Sequence, residues 1–203
     1  MPKIIPDLHN RILDAAANLF STVGYAETDM KAISTDLGIS VGTLYNYFPS
    51  KPELFLAVTL RWRSELILDF RKIATGPETA RAKLTTILRT MLTNSENFTG
   101  IWKEFMASQP KDLKASPAWA QHHNLDESEQ EFFEVVRELL RIVMAGNPLA
   151  LPLLNDPKNR FVMMLFMPLV NLVMRYPGEV EDNLNFLNNW IEFLFPKENK
   201  NEQ

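Results

Sequence analysis

An all-α fold is predicted for this chain: an N-terminal three-helix unit with a helix-turn-helix, followed by a larger helical body. Three observations predict it. Apolar residues recur at helical spacing through nearly every segment. No stretch alternates with period two between turn signals, so no sheet is expected. Residues 28–53, TDMKAISTDLGISVGTLYNYFPSKPE, read as two short helices joined by a tight Gly turn and followed by the capped start of a third.

Composition narrows the field of functions. Apolar residues are 46% of 203, enough for a sizeable buried core. The formal charge of −4 argues against a protein that coats nucleic acid indiscriminately. The absence of cysteine removes disulfides, thiolate catalysis and Cys-based zinc sites. The opening residues MPKIIPDLHN lack the apolar core of a secretory signal. The longest apolar run, Phe161 to Val170, falls short of the ~20 residues of a membrane span. A soluble, cytoplasmic protein is expected, without membrane contact.

The first helix is carried by Ile12, Ala16, Leu19, Phe20 and Val23, one face at i, i+4, i+7, i+8 and i+11, and Gly24 supplies a left-handed stop. Thr28 is the expected cap of the second helix, with Asp29 favourable at its positive end. Ile33 and Leu37 point inward, Gly38 breaks the helix, Ile39 plugs the turn and Ser40 caps the third helix. In that helix Val41, Leu44 and Phe48 make the inward stripe. Gly42, Thr43, Asn46 and Tyr47 face the other way, with Tyr45 on the flank. This outer face offers hydroxyls, an amide and a bare backbone but no charge. Hydroxyl donors suit phosphate oxygens, Asn46 suits a base edge, and Gly42 permits close approach.

Pro49 ends the helix, and Ser50-Lys51-Pro52-Glu53 reads as a capping box opening a linking helix over about 50–73. A cation at Lys51 opposes the helix dipole by ~0.3–1 kcal/mol, which makes sense if a phosphate docks at that helix end.

The body repeats the helical pattern at Ala80–Leu92, Phe98–Met106 and Phe132–Val143. Loops are expected at 75–77, 108–124, 147–157 and 176–178. Phe161–Val170 is apolar all round and so is expected to be buried on all sides, with a kink at Pro168. The last helix carries two stripes, Val180, Leu184, Leu187, Ile191, Leu194 and Asn183, Phe186, Trp190, Phe193. One can fill the monomer core and the other needs a partner, so a homodimer with a four-helix interface is expected. The polar tail, 197–203, is expected to be disordered.

Residues 7–60 resemble the tetracycline-repressor (TetR) family of bacterial transcriptional regulators. The resemblance is carried by Ile12-Leu13-Asp14-Ala15-Ala16, Leu19-Phe20, Gly24-Tyr25, Thr28, Ile33 and above all LGISVGTLYNYFPSK from Leu37 to Lys51. It implies a DNA-binding domain over 1–50 and an all-helical effector-binding and dimerisation domain over 51–196. It also implies that Thr43, Tyr45, Tyr47 and Lys51 contact DNA, with Thr28 and Lys31 contributing. Ser40, Val41, Gly42 and Asn46 complete the candidate set.

The function expected is a sequence-specific regulator, a repressor that binds an inverted-repeat operator as a homodimer and is released by a small, mainly hydrophobic effector. Residues 1–63 hold six Lys/Arg and six Asp/Glu. Few ion contacts are therefore expected, with a log–log salt slope no steeper than about −6.

Aromatic and Met residues are dense in the body, and few charges sit at inward positions, which favours an adaptable apolar cavity. Helix faces nominate Trp102, Phe105, Met106, Phe133, Val136, Met163 and Met167 for its wall. The alternative is a body that senses a protein partner. His122-His123 with Asp126 and Glu127 is a weak metal signal that an N-terminal cap explains equally well, and neither metal nor cofactor is expected. An enzyme is not expected: the chain has no phosphate loop, nucleophile elbow or paired carboxylates on an apolar face.

Overall fold

The computed structural model describes residues 6–97, 125–144, 150–157 and 160–194. Among these residues there are helices and turns and no strand. In chain order the helices are α1 (Leu8–Thr22), α2 (Met30–Leu37), α3 (Val41–Tyr47), α4 (Lys51–Thr75), α5 (Ala80–Asn97), α6 (Leu125–Val143), α7 (Ala150–Leu154), α8 (Arg160–Arg175) and α9 (Val180–Leu194). Two compact units result. The described part of the first is 6–66 with Asn97 and 125–128, and that of the second is Ile67–Glu96 and the described residues from Glu129 on. The division falls inside α4, because Leu54, Phe55, Leu56 and Val58 of that helix bury into the core of the first unit.

The first unit forms around α1. Leu8, Ile12, Leu13, Ala15, Ala16 and Phe20 are buried along one face, as the spacing predicts. Leu19 is partly buried and Val23 is exposed, so the inward stripe ends a turn earlier than the pattern suggests. Gly24 at φ 96° turns the chain out of the helix. Three rings close the core. Phe20 meets Phe55 at 5.3 Å and Tyr25 meets Phe55 at 4.7 Å, both edge-on. Each such pair contributes ~0.5–1.5 kcal/mol beyond area burial.

The second unit packs α5 against α9. Leu84, Ile87, Leu88, Met91 and Leu92 are buried on one side of α5. Beside them runs a polar ladder in antiparallel order. Arg81 meets Glu192 at 2.7 Å, Thr85 donates to Asn188 Oδ1 at 3.0 Å, and Arg89 forks onto Glu181. Hydrogen bonding from Arg89 holds the Glu181 carboxyl below the usual carboxylate range. In α6, Phe133, Val136, Leu139 and Leu140 are buried.

Three expectations for the body are corrected. Residues 150–154 form α7 where a loop was expected, with Pro152 in its first turn, where a missing N–H costs little. The Phe161–Val170 stretch is not buried on all sides. Val162 and Leu169 are inside, but Met163, Met164 and Met167 are exposed, with Met164 at 68%. An apolar helix can be covered by another chain as well as by its own, and composition does not distinguish the two. In α9, Asn183 does not share the open face of Phe186 and Phe193. It is buried, and its amide donates to the Tyr176 carbonyl at 2.9 Å, closing the turn before the helix. Helix α8 runs through Pro168 without a break, and Asn171 Nδ2 donates to the Met167 carbonyl in the turn beside it. The Phe98–Met106 pattern, His122, His123 and the 197–203 tail lie outside the described residues.

Candidate nucleic-acid interface

The turn between α2 and α3 is fixed by backbone chemistry. Gly38 adopts φ 65°, and the Ile39 N–H reaches back to the Ser34 carbonyl at 3.0 Å, sealing the end of α2. The Ser40 hydroxyl then accepts from the Thr43 N–H at 3.0 Å and opens α3. Leu44 is fully buried, Phe48 nearly so and Val41 partly, which fixes the rotation of α3 about its axis. The opposite side is therefore presented outward. Tyr45 is 46% exposed and Tyr47 43%, and Gly42 and Asn46 are exposed beside them. Thr43 is half-buried, its hydroxyl 2.8 Å from that of Ser40.

Among the described residues nothing requires glycine at position 42. A Cβ built there meets only the Ser40 hydroxyl, at 3.8 Å, an ordinary contact. Glycine inside a short helix costs ~1 kcal/mol against alanine.

Two candidate contacts are corrected. Thr28 is neither the cap of α2 nor on the outer face. It is 2% exposed, and its hydroxyl donates to the carbonyls of Gly24 at 2.7 Å and Leu19 at 3.3 Å. The cap is Asp29, which accepts from the Ala32 N–H at 2.6 Å. The end of α1 leaves carbonyls in need of donors, and that demand draws Thr28 inward.

Lys51 is the second correction. Its ammonium donates to the carbonyls of Tyr25 at 2.8 Å, Thr28 at 3.0 Å and Ala26 at 3.3 Å, and stands 4.3 Å from the centroid of the Tyr25 ring. The cation at the start of α4 is held by a loop rather than held out for a phosphate. Of the capping box, the Ser50 hydroxyl accepts from the Glu53 N–H at 3.3 Å.

Two features of the first unit went unread in the sequence. Arg61 of α4 donates to Asp14 of α1 at 2.7 Å, tying the two helices. His9, in the first turn of α1, lies 5.2 Å from the Phe48 ring and 6.4 Å from the Tyr47 ring. A histidine at the start of a helix carries no periodic signal, and its neighbours are almost forty residues away in sequence. Lys31 is exposed on α2, as expected.

The candidate cavity wall is not brought together as nominated. Phe133 and Val136 are buried, Met163 and Met167 face outward on α8, and Trp102, Phe105 and Met106 lie outside the described residues. Among the described residues no three His, Asp or Glu side chains converge as a metal site would require. No described helix is long and apolar enough to cross a membrane.

A sealed glycine turn followed by a short capped helix with an exposed hydroxyl-and-amide face is the geometry of a helix-turn-helix. Comparison with known proteins shows what this region resembles. Residues 12–58 match the model of bacterial regulatory proteins of the tetR family. Over 66 residues the chain is 41% identical to the HTH-type transcriptional regulator UidR of Escherichia coli K12, covering 32% of this chain and 34% of UidR. The match thus spans about a third of that relative's length. Solved structures match over almost the whole chain. FadR, a fatty acid degradation regulator of Bacillus halodurans, superposes with a TM-score of 0.70 at 14% identity, covering 93% of this chain and 96% of that one. FadR of Bacillus subtilis, solved with stearoyl-CoA, gives 0.65 at 16% identity, covering 93% and 98%. At such identities the likeness is one of fold. Over residues 12–58 the chain is thus similar to bacterial regulatory proteins of the tetR family, and over most of its length it shares the all-helical fold of the solved regulators.

Proposed function

We propose that this protein is a repressor that binds an inverted-repeat operator as a homodimer and is released by a small, mainly hydrophobic effector. The observation that carries the reading is the outer face of α3, where Tyr45, Asn46, Tyr47 and the bare backbone of Gly42 stand on a helix whose rotation is fixed by buried Leu44 and Phe48. Hydroxyls, an amide and a close-approach point suit a major groove, where side chains both anchor to phosphates and read base edges. Ser40, Val41, Thr43 and Lys31 complete the proposed contact surface. Lys51 supports it by ordering the loop before α2.

The homodimer is supported by two open apolar stripes in the second unit. Met163, Met164, Met167 and Met174 are exposed along α8, and Phe186 and Phe193 along α9, with Phe193 at 82%. Isolated large apolar residues on a surface are ordinary, but two helices with such stripes call for a partner. A second copy satisfies both stripes at once and sets two α3 helices on half-sites one or more helical turns apart.

The effector reading rests on the apolar interior of the second unit, to which Phe133 and Val136 of α6 contribute. FadR of Bacillus subtilis holds stearoyl-CoA on the same fold, and a ligand with a long apolar part is the class proposed here. An effector that favours the dimer spacing mismatched to the operator by ~2–4 kcal/mol lowers DNA affinity by ~30- to 1,000-fold.

The test is selection of random duplex DNA by the purified full-length protein, with Tyr47→Phe and Asn46→Ala alongside. Enrichment of an inverted repeat, weakened in both variants, is expected. A folded dimer that enriches nothing, and from which denaturation liberates no small molecule detectable by mass spectrometry, would overturn the reading.

A further inference from the structure

The burial of Leu44 fixes which way α3 turns, and with it what stands on the far side of the helix. Side-chain direction advances by about 100° per residue of an α-helix. Leu44 therefore lies about 160° from Asn46 on one side, and partly buried Val41 about 140° on the other. Asn46 is thus at the centre of the outer face. Gly42, four residues earlier, lies one turn before it and only about 40° off the same line. Tyr45 and Tyr47 stand about 100° to either side. The face has a short amide at its centre, a strip without side chain beside it and a long phenol on each flank. Asn46 is exposed, and among the described residues its amide takes no hydrogen-bond partner. A Cβ at position 42 would meet only the Ser40 hydroxyl, at 3.8 Å, so nothing else of the described chain stands over that strip. Glycine and asparagine are both poor helix formers, and α3 has only seven residues in which to carry them.

We propose that Asn46 reads one adenine in each half-site, and that Gly42 lets α3 sit deep enough in the major groove for it to do so. The inference rests on the DNA-binding reading above and names the base that the site specifies. A carboxamide offers one acceptor and one donor side by side. In the major groove adenine presents N7, an acceptor, beside N6–H, a donor, and so satisfies both. Guanine presents two acceptors there, cytosine one donor, and thymine one acceptor with a methyl group, so each leaves half of the amide unpaired. Asparagine has a single methylene between backbone and amide, and its reach is short. It meets a base edge only where the helix backbone itself comes close. A side chain at position 42, on the same line one turn earlier, would hold the helix off by its own bulk. The tyrosines are longer and lie on the flanks, clear of that line.

Selection of random duplex DNA by the full-length protein tests this, followed by fluorescence anisotropy on duplexes that carry each of the four bases at the position concerned. The wild type is expected to specify adenine at one position of each half-site, by about 5- to 150-fold over the other bases. Asn46→Ala is expected to lose the preference at that position and keep those elsewhere. Asn46→Gln carries the same amide and is expected to keep adenine. Asn46→Asp, of equal size but without the donor, is expected to move the preference towards cytosine. Gly42→Ala is expected to weaken the adenine preference. Gly42→Ala combined with Asn46→Gln is expected to regain it, because the extra methylene makes up the lost depth. Both positions are exposed, so each variant is expected to fold, which circular dichroism checks. Uniform weakening across all sequences in Asn46→Ala, or a relaxed position that holds no A·T pair, would overturn the inference and leave the regulator reading intact. An adenine preference that Gly42→Ala leaves unchanged would overturn the role given to Gly42. A ligand-free wild type that enriches no duplex would overturn the DNA-binding reading and this inference with it.

Discussion

The ammonium of Lys51 stands 4.3 Å from the ring centroid of Tyr25 and donates to the carbonyl of that same residue at 2.8 Å. One side chain thereby clamps both the backbone and the side chain of a residue that is 2% exposed and wedged between Phe20 and Phe55. The carbonyls of Ala26 and Thr28 join the same ammonium. The loop between α1 and α2 is thus ordered from the start of α4.

Lys51→Met keeps most of the aliphatic stem and removes the charge. It is expected to destabilise the protein by about 2 kcal/mol, from lost charge-assisted bonds and a lost cation–π contact at a partly exposed site. Denaturant unfolding measures this. Lys51→Arg is expected to recover part of the loss. A stable Lys51→Met variant that nonetheless fails to bind DNA would instead assign the ammonium to a phosphate.

Gly42→Ala separates folding from recognition. The new Cβ meets only the Ser40 hydroxyl at 3.8 Å. The variant is expected to be as stable as wild type or more stable by up to about 1 kcal/mol, from helix propensity. It is expected to bind operator roughly tenfold more weakly, the 1.4 kcal/mol of one displaced close contact. Thermal unfolding and anisotropy on the same preparation check both halves.

The salt dependence of binding is expected to be shallow, with a log–log slope no steeper than about −6 for the dimer. Of the six cations in residues 1–63, Lys51 is held by carbonyls and Arg61 by Asp14. Arg11 and Lys31 remain exposed on the helices of the head. A steeper slope would mean that other parts of the chain reach the phosphates.

Met164→Asp combined with Phe193→Asp places four carboxylates across the proposed dimer interface. The wild type is expected to sediment as a dimer at micromolar concentration and the double variant as a helical monomer. Because both side chains are exposed in the single chain, at 68% and 82%, the monomer core is expected to be untouched. A dimeric double variant would move the interface elsewhere.

The head was legible where its signals are local. The stripe Val41, Leu44, Phe48, the Gly38 turn and the Ser40 cap lie within eleven residues, and each was read from spacing and turn chemistry alone. Thr28 was misplaced because Thr28 and Asp29 are both good caps. Carbonyls at positions 19 and 24, close only in the folded chain, decide between them. Lys51 and His9 have partners more than twenty residues away, so sequence offered only their charge and their ring. In the body, the methionines of α8 looked like core because an apolar composition does not say which side of a helix its own chain covers.

In the proposed dimer those methionines would carry a chemical memory of assembly. Thioethers react with peroxide to form sulfoxides when solvent reaches them, and the product is polar. Met163, Met164, Met167 and Met174 line the open side of α8 in the single chain. A cell under oxidative stress that held this protein as free subunits would mark that stripe, and the marked subunits would then pair poorly. Subunits already paired would be spared, so the oxidation pattern would record which molecules were assembled when the oxidant arrived.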